Sequence, residues 1–259
     1  ILNHGRDFTY DTPMDGRRMP SSFVLAWQTP AGGTNLNCCQ MNGTRGFGQW
    51  GRWALLSNKE GLYCNYYGAC TAEIPLPNGT QVKMRQTTRY PLEGQIEIQL
   101  SLTKPEHFAL FLRNPSWSAD TKIQVNGAEI PPSVPGSYTR IERLWQDGDQ
   151  IRLELDLTPH FWEGQRECAG KVSVYCGPIL LTADSMLSGD PWIADRTFSR
   201  ESLRSLRLYE SGETSAWFCA DALLEDGTPV RLVDFASAGS QGQEYASWLR
   251  VPETTETKE

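Results

Sequence analysis

Cys38 and Cys39 sit side by side in the run Asn35-Leu36-Asn37-Cys38-Cys39-Gln40-Met41-Asn42-Gly43-Thr44-Arg45. Neighbouring thiols rarely serve packing alone. Their sulfurs can bind one metal ion together, and a metal-bound thiolate is also a nucleophile. From the residues themselves the pair reads three ways: two structural thiols, a shared metal site, or a redox-active vicinal disulfide. Asn42 and Arg45, just downstream, suit either helix capping and a surface ion pair or a part in orienting the pair. Other candidates are weaker. His4, His107 and His160 lack metal-ligand spacing. Asp7, Asp11 and Asp15 are evenly spaced, but no calcium-loop pattern follows, so they are expected to be solvated loop acids. Trp27 and Tyr10 lie in loops that could line a sugar pocket or simply sit on the surface.

The remaining cysteines set the redox context. The chain has 7 in all, an odd number, and is too long and apolar to need a disulfide framework. Cys64 and Cys176 fall inside apolar strand-like runs and read as buried free thiols. Cys70, Cys168 and Cys219 carry no assigned function. The set fits a reducing compartment or a protected thiolate site better than an oxidising exterior.

Composition narrows the partners. With 259 residues, 39% hydrophobic, the chain holds one large domain or two smaller ones. A net charge of −7, with no basic block longer than Arg17-Arg18, argues against nucleic acid and anionic membranes. No run approaches the roughly 18 apolar residues of a membrane span. The opening Ile1-Leu2-Asn3-His4-Gly5-Arg6-Asp7 is expected to be the start of a piece of a longer or processed polypeptide, so partners of the Cys pair would lie upstream.

The elements that must position the pair follow from periodicity. Residues 1–37 are punctuated by Thr12-Pro13, Asp15-Gly16, Met19-Pro20, Thr29-Pro30 and Gly32-Gly33 and read as long connections. Phe47, Trp50, Trp53, Ala54 and Leu56 recur at helical spacing, which predicts one helix between Asn42 and Asn58, weakened by Gly46, Gly48 and Gly51. Trp50 and Trp53 are expected to pack on a neighbouring element. From Gly61 the period becomes two. Strands are predicted at 62–67, 82–90, 96–102, 108–112, 123–125, 138–145 and 151–157, with an Asn126-Gly127 hairpin turn. Pro159 and the polar stretch to Gly170 mark a boundary. A second series follows at 172–176, 178–182, 203–209, 216–219, 230–235 and 245–251. Short turns between strands imply antiparallel sandwiches. The expected fold is mainly β: two antiparallel β-sandwiches, residues 59–160 and 161–259, after a loop-and-helix segment, residues 1–58. That segment cannot form a core of its own.

An ordered series of motifs then carries a resemblance. It runs Cys38-Cys39-x-x-Asn42-Gly43-x-Arg45, Gly61-Leu62-Tyr63-Cys64-Asn65-Tyr66-Tyr67, Thr88-x-Tyr90-Pro91-x-x-Gly94 and Arg113-Asn114-Pro115-Ser116-Trp117. It continues with Val125-Asn126-Gly127, Gly136-x-Tyr138, Arg143-x-Trp145-x-x-Gly148-Asp149 and Cys176-Gly177-Pro178. The series, over residues 35 to 180, resembles glycoside hydrolase family 127, the β-L-arabinofuranosidases; Gly242-x-x-Tyr245 is compatible with it.

The resemblance implies an (α/α)6 barrel followed by two β-sandwiches, with residues 1–58 as the closing part of the barrel. It implies a barrel zinc held by three cysteines and a glutamate. Cys38 matches the nucleophile and one zinc ligand, and Cys39 a second ligand. The third cysteine, the glutamate ligand and the acid/base glutamate belong to an upstream motif. No Glu-x-Cys precedes Cys38, and the first glutamate is Glu60, so those roles are unfilled in this sequence. A retaining glycosidase normally pairs a carboxyl acid with a carboxylate nucleophile about 5 Å apart. Here a thiolate would replace the carboxylate, since zinc lowers a thiol pKa of about 8.5 strongly. The implied substrate is a plant glycan bearing L-arabinofuranosyl-like residues; a homo-oligomer is a possible assembly that the sequence does not decide. The competing reading is a non-catalytic β-sandwich module that binds carbohydrate or another partner.

Overall fold

The structure is a computed structural model that describes residues 2–3, 7–8, 13–17, 37–212 and 214–252, with backbone alone at 2–3, 7–8, 37–41 and 43–44. It divides into two compact units, Gly46–Leu157 and Ile1–Arg45 with Thr158–Glu259. At the start, β1 (Leu2–Asn3) pairs with β2 (Asp7–Phe8), and β3 (Asp15–Arg17) follows. Helix α1 runs Asn37–Ala54. It begins earlier than the spacing predicted and ends at Ala54. Leu55–Asn58, expected as its last turn, forms a strand instead. A Cβ at Gly46, Gly48 or Gly51 would meet open space, so these glycines cost helix propensity without serving a close contact.

The unit Gly46–Leu157 is a sandwich of two sheets. Its strands are β4 (Leu55–Asn58), β5 (Gly61–Cys64), β6 (Cys70–Pro75), β7 (Gln81–Thr88) and β8 (Gln95–Ser101). They continue with β9 (Glu106–Asn114), β10 (Lys122–Val125), β11 (Ala128–Ile130), β12 (Ser137–Trp145) and β13 (Gln150–Glu154). A six-stranded sheet has the order β11-β10-β13-β8-β7-β6, and a four-stranded sheet the order β12-β9-β5-β4. The alternation seen in the sequence sets the faces. Ile96, Ile98 and Leu100 of β8, and Ile151 and Leu153 of β13, point into the core with Leu62, Leu110, Leu112 and Trp145. The Trp145 indole Nε1 donates to the Phe108 carbonyl at 3.0 Å, which satisfies its one polar atom inside the core.

One ladder departs from the antiparallel expectation: β5 runs parallel to β9, with Gly61 opposite Ala109. The glycine is required there. A Cβ on Gly61 would lie 2.0 Å from the Ala109 carbonyl oxygen, and its φ is +148°. Asn126 and Gly127, with φ of 51° and 83°, make the predicted hairpin turn between β10 and β11.

The second unit holds a branched eight-stranded sheet. Its strands are β3 together with β14 (Pro159–Glu163), β15 (Lys171–Cys176), β16 (Ile179–Asp184), β17 (Cys219–Leu223), β18 (Pro229–Asp234), β19 (Glu244–Ala246) and β20 (Leu249–Arg250). The path is β14-β15-β16-β18-β17; β20 adds to β15, and β19 bridges β16 to β3. Its named ladders are all antiparallel. Val172, Val174, Leu181, Phe198, Leu203 and Leu232 centre the core.

Three expectations are corrected in this unit. Residues 203–209 are not a strand: α2 (Arg200–Arg204), capped by the Ser199 hydroxyl, which accepts from the Ser202 amide, ends there with Leu203 facing the core, and of the rest Tyr209 makes a single bridge to Cys219. The polar stretch after Pro159 is not all loop: β14 opens it and pairs with β15 from its first residue, while the two units divide at Leu157 and Thr158, next to the expected boundary. Proline suits that place, since it has no amide to offer a ladder. Asp15 is not a solvated loop acid. Its Oδ1 accepts from the Ser247 amide at 2.8 Å and the Trp248 amide at 3.1 Å. It pins β3 beside the distant β19, more than 200 positions along the chain.

Candidate functional site

Cys38 and Cys39 are the second and third residues of helix α1. Consecutive helical residues point about 100° apart. The first turn of a helix carries amide N–H groups without intrahelical partners and the positive end of the helix dipole. The side chains of the pair lie outside the described residues, as do His4, Tyr10, Asp11, Trp27 and the side chain of Asp7. Asn42 and Arg45 are both exposed on the helix.

The other end of the helix is closed by Asn65. Its amide nitrogen donates to the Ala54 carbonyl at 2.8 Å, and its side-chain Nδ2 donates to the Trp53 carbonyl at 2.7 Å. Two of the carbonyls that every helix end leaves unpaired are thereby satisfied. Asn65 Oδ1 in turn accepts from the Tyr138 hydroxyl. Trp50 packs edge-on against Tyr66, with ring centroids 6.0 Å apart, as the expected neighbour contact. Trp50 and Trp53 nevertheless stay about half exposed, at 54% and 52%. Beside them the four-stranded sheet turns outward a stacked Tyr63–Phe111 pair, centroids 4.2 Å apart, with Tyr138 edge-on to Tyr63 at 5.6 Å. Sequence reasoning missed this aromatic face. The parallel β5–β9 pairing that brings Tyr63 opposite Phe111 joins residues far apart in the chain.

Four of the other five thiols are shifted up by burial. Burial pushes Cys64 and Cys176 up to about 12, so both stay protonated at neutral pH. Burial also raises Cys219, and raises Cys70 although that residue is exposed. Cys64 Sγ receives the Gln86 Nε2 hydrogen bond at 3.5 Å, a core contact. His107 is exposed, and the His160 ring stacks on Tyr175 at 5.5 Å. Among the described residues, no group of three or more His, Cys, Asp or Glu side chains could hold a metal ion.

Most motif residues prove to hold the sandwich together. Asp149 Oδ1 accepts from Asn126 Nδ2 at 2.7 Å, and Asn126 Oδ1 accepts from the Gln150 amide at 2.9 Å. The Asn126-Gly127 and Gly148-Asp149 motifs are thus two halves of one network. Asn114 donates to the Ser133 carbonyl at 2.6 Å and accepts from the Thr121 hydroxyl at 2.7 Å. The Tyr67 hydroxyl donates to the Arg113 carbonyl at 2.7 Å. A Cβ on Gly94 would lie 2.1 Å from the Leu155 carbonyl oxygen.

The same stretch matches a family model described as the β-L-arabinofuranosidase GH127 middle domain, over residues 61–157. Residues 61–157 therefore resemble a GH127 middle domain. It coincides with the two-sheet sandwich from β5 onward. Solved structures extend the likeness beyond it. A glycoside hydrolase aligns over 96% of this chain and 45% of its own, at 22% identity and a TM-score of 0.77. A GH127 β-L-arabinofuranosidase from Geobacillus stearothermophilus T6 aligns over 96% of this chain and 43% of its own, at 19% identity and a TM-score of 0.77. A further GH127 β-arabinofuranosidase gives 96% and 42%, at 19% identity and a TM-score of 0.75. The chain therefore spans less than half the length of these structures, and they show its fold. No curated protein matches the sequence.

Proposed function

We propose that this chain is the C-terminal part of a retaining glycoside hydrolase acting on L-arabinofuranosyl-like residues of plant glycans, with Cys38 as nucleophile. The order of parts carries the reading: the Cys38-Cys39 pair opens helix α1, and the GH127 middle domain begins behind that helix at residue 61. In this reading the segment ending in α1 closes a catalytic α/α barrel, and the two-sheet sandwich of β4–β13 follows it in the chain.

Zinc is the metal the family resemblance implies. Two thiols are soft donors of the kind zinc takes, but zinc sites use three or four protein ligands. Cys38 and Cys39 fill about half of that shell, and the described residues add no cluster to complete it. The other donors and the acid/base glutamate then come from protein outside this chain. When bound, zinc would keep the thiols deprotonated at neutral pH.

A helix start would add to this, because amides without intrahelical partners favour a thiolate near them. In the first step the Cys38 Sγ–anomeric carbon bond forms as the glycosidic C–O bond breaks. The leaving oxygen takes a proton from a carboxylic acid. Water then displaces the sulfur, and two inversions give retention.

The test is Cys38→Ala in the intact parent protein, assayed on an aryl L-arabinofuranoside with its metal present. Alanine is the best helix former, so the helix should survive the change. Hydrolysis should fall by about 10³-fold or more. An unchanged rate would end the proposal. The isolated chain, holding half a shell, should bind zinc weakly and not turn over; a tight stoichiometric titration would contradict that.

A further inference from the structure

The geometry points to the outward face of the six-stranded sheet as a binding surface for a neutral oligosaccharide chain. The inference rests on the reading above that the protein works on glycans, and adds a second place where it would hold one.

Register arranges the outward side chains of this sheet in rows. One row runs Gln124, Arg152, Glu97 and Thr87 across β10, β13, β8 and β7. The rows on either side are Lys122–Glu154–Gln95 and Gln150–Gln99–Arg85. Two depressions lie on this face, of about 380 Å³ and 140 Å³, and both are lined by Glu97 and Arg152. Sharing those two side chains, they form one trough across four strands. The larger falls within the range of small-ligand sites, about 300–1,000 Å³.

The lining chemistry selects the ligand. Gln95 and Gln124 line the larger depression, and Gln99 and Gln150 the smaller. Each primary amide offers two donors and an acceptor on one group. A sugar hydroxyl also donates and accepts, so amide rows match it better than a row of one charge would. The charges are interleaved: Arg152 Nε lies 3.4 Å from Glu97 Oε1, and Lys122 Nζ 3.9 Å from Glu154 Oε1. Opposite charges at that spacing leave no field of one sign to attract a polyanion. The lining contains no aromatic ring, so binding would rest on hydrogen bonds and be weak, in the millimolar range, and little affected by salt.

The experiment is a titration of the full chain with a short arabinan oligosaccharide, followed by calorimetry and by backbone amide NMR shifts. A cello-oligosaccharide and heparin run in parallel. The expected result is saturable binding of a neutral oligosaccharide, with shifts confined to β7, β8, β10 and β13. Arg152→Ala should weaken it at least tenfold, and so should the double variant Gln124→Ala, Gln150→Ala. These side chains lie on the solvent side of the sheet, and unchanged circular dichroism checks each fold. Cys38→Ala should leave this binding intact. Binding that survives both trough variants, binding of heparin alone, or no binding of either oligosaccharide overturns the proposal. The catalytic reading fails separately, if Cys38→Ala keeps hydrolysis.

Discussion

Asp149 is the carboxylate of the two-sheet sandwich most easily mistaken for a catalytic acid. It sits in a family motif and is only 7% exposed. Its surroundings assign it to the scaffold. Oδ1 accepts from Asn126 Nδ2 at 2.7 Å, Oδ2 accepts from the Gln146 amide at 2.9 Å, and Arg143 lies 3.9 Å away. Asp149→Ala strips two donors of a charged acceptor. Hydrogen bonds to charged groups contribute about 1.5–3 kcal/mol each. Both donors are partly open to water, which puts the sum near the lower end, about 3 kcal/mol. For a domain of about 100 residues, a loss of 1 kcal/mol lowers Tm by about 4 °C, so the transition of this unit should fall by about 12 °C. Calorimetry reads the shift directly. Asp149→Asn keeps one acceptor oxygen and should recover about half. The double variant with Asn126→Ala should lose less than the sum of the two singles, because they share a bond. A shift under about 3 °C for Asp149→Ala would refute the network argument. So would strict additivity with Asn126→Ala.

Two further outcomes follow from burial and backbone geometry. Burial raises Cys64 and Cys176 from 9.0 to about 12, and Tyr90 from 10.0 to about 12. The folded chain therefore holds these protons more tightly than the unfolded one. The stability they contribute is complete below about pH 9 and is lost as pH rises towards 12. Urea midpoints at fixed ionic strength should be level to about pH 8.5 and then fall; a level profile through about pH 11 would contradict the burial. Gly61→Ala places a Cβ 2.0 Å from a carbonyl oxygen at φ +148°, whereas at Gly148, φ +84°, it meets open space. Gly148→Ala should cost about 1 kcal/mol and Gly61→Ala more than about 4 kcal/mol, read by thermal denaturation or by loss of soluble protein.

Much of the architecture was legible where it is local. The alternation in Gln95–Ser101 and Gln150–Glu154 names the buried face residue by residue, and Asn126-Gly127 names its turn. What escaped was long-range. Parallel pairing of β5 with β9 leaves no local trace beyond Gly61, whose need for φ above zero shows only when Ala109 is beside it. The addition of β3 to β19 depends on Asp15, an acid that periodicity reads as solvent-facing. The misread strand at 203–209 failed for the opposite reason. Its leucines at 203, 206 and 208 are buried or packed on the core from the end of a short helix and the irregular chain after it, so burial there does not require a strand. For the site, the sequence singled out the pair and the helix after it. It could not show that the pair lies inside the first turn, because glycines at 43, 46 and 48 blur the helical period where it starts.

The motif residues divide by what they touch. Gly61 and Gly94 admit a backbone too close for any Cβ. Asn114, Asn126 and Asp149 close hydrogen bonds within the sandwich. Asn65 joins the last carbonyls of α1 to the Tyr138 hydroxyl of β12. Each has a structural employment sufficient to explain its residue type. Burial raises Cys64, Cys70, Cys176 and Cys219, the reverse of what a sulfur nucleophile needs. Among the residues the sequence marked for chemistry, Cys38 and Cys39 are the second and third residues of α1, and the chemical proposal rests on them. A helix start favours the thiolate by an amount that one substitution cannot remove without breaking the helix. The chemical argument therefore turns on sulfur identity, and Cys38→Ser, which keeps the position and the helix but exchanges a thiol for a hydroxyl of far higher pKa, isolates it from the scaffold.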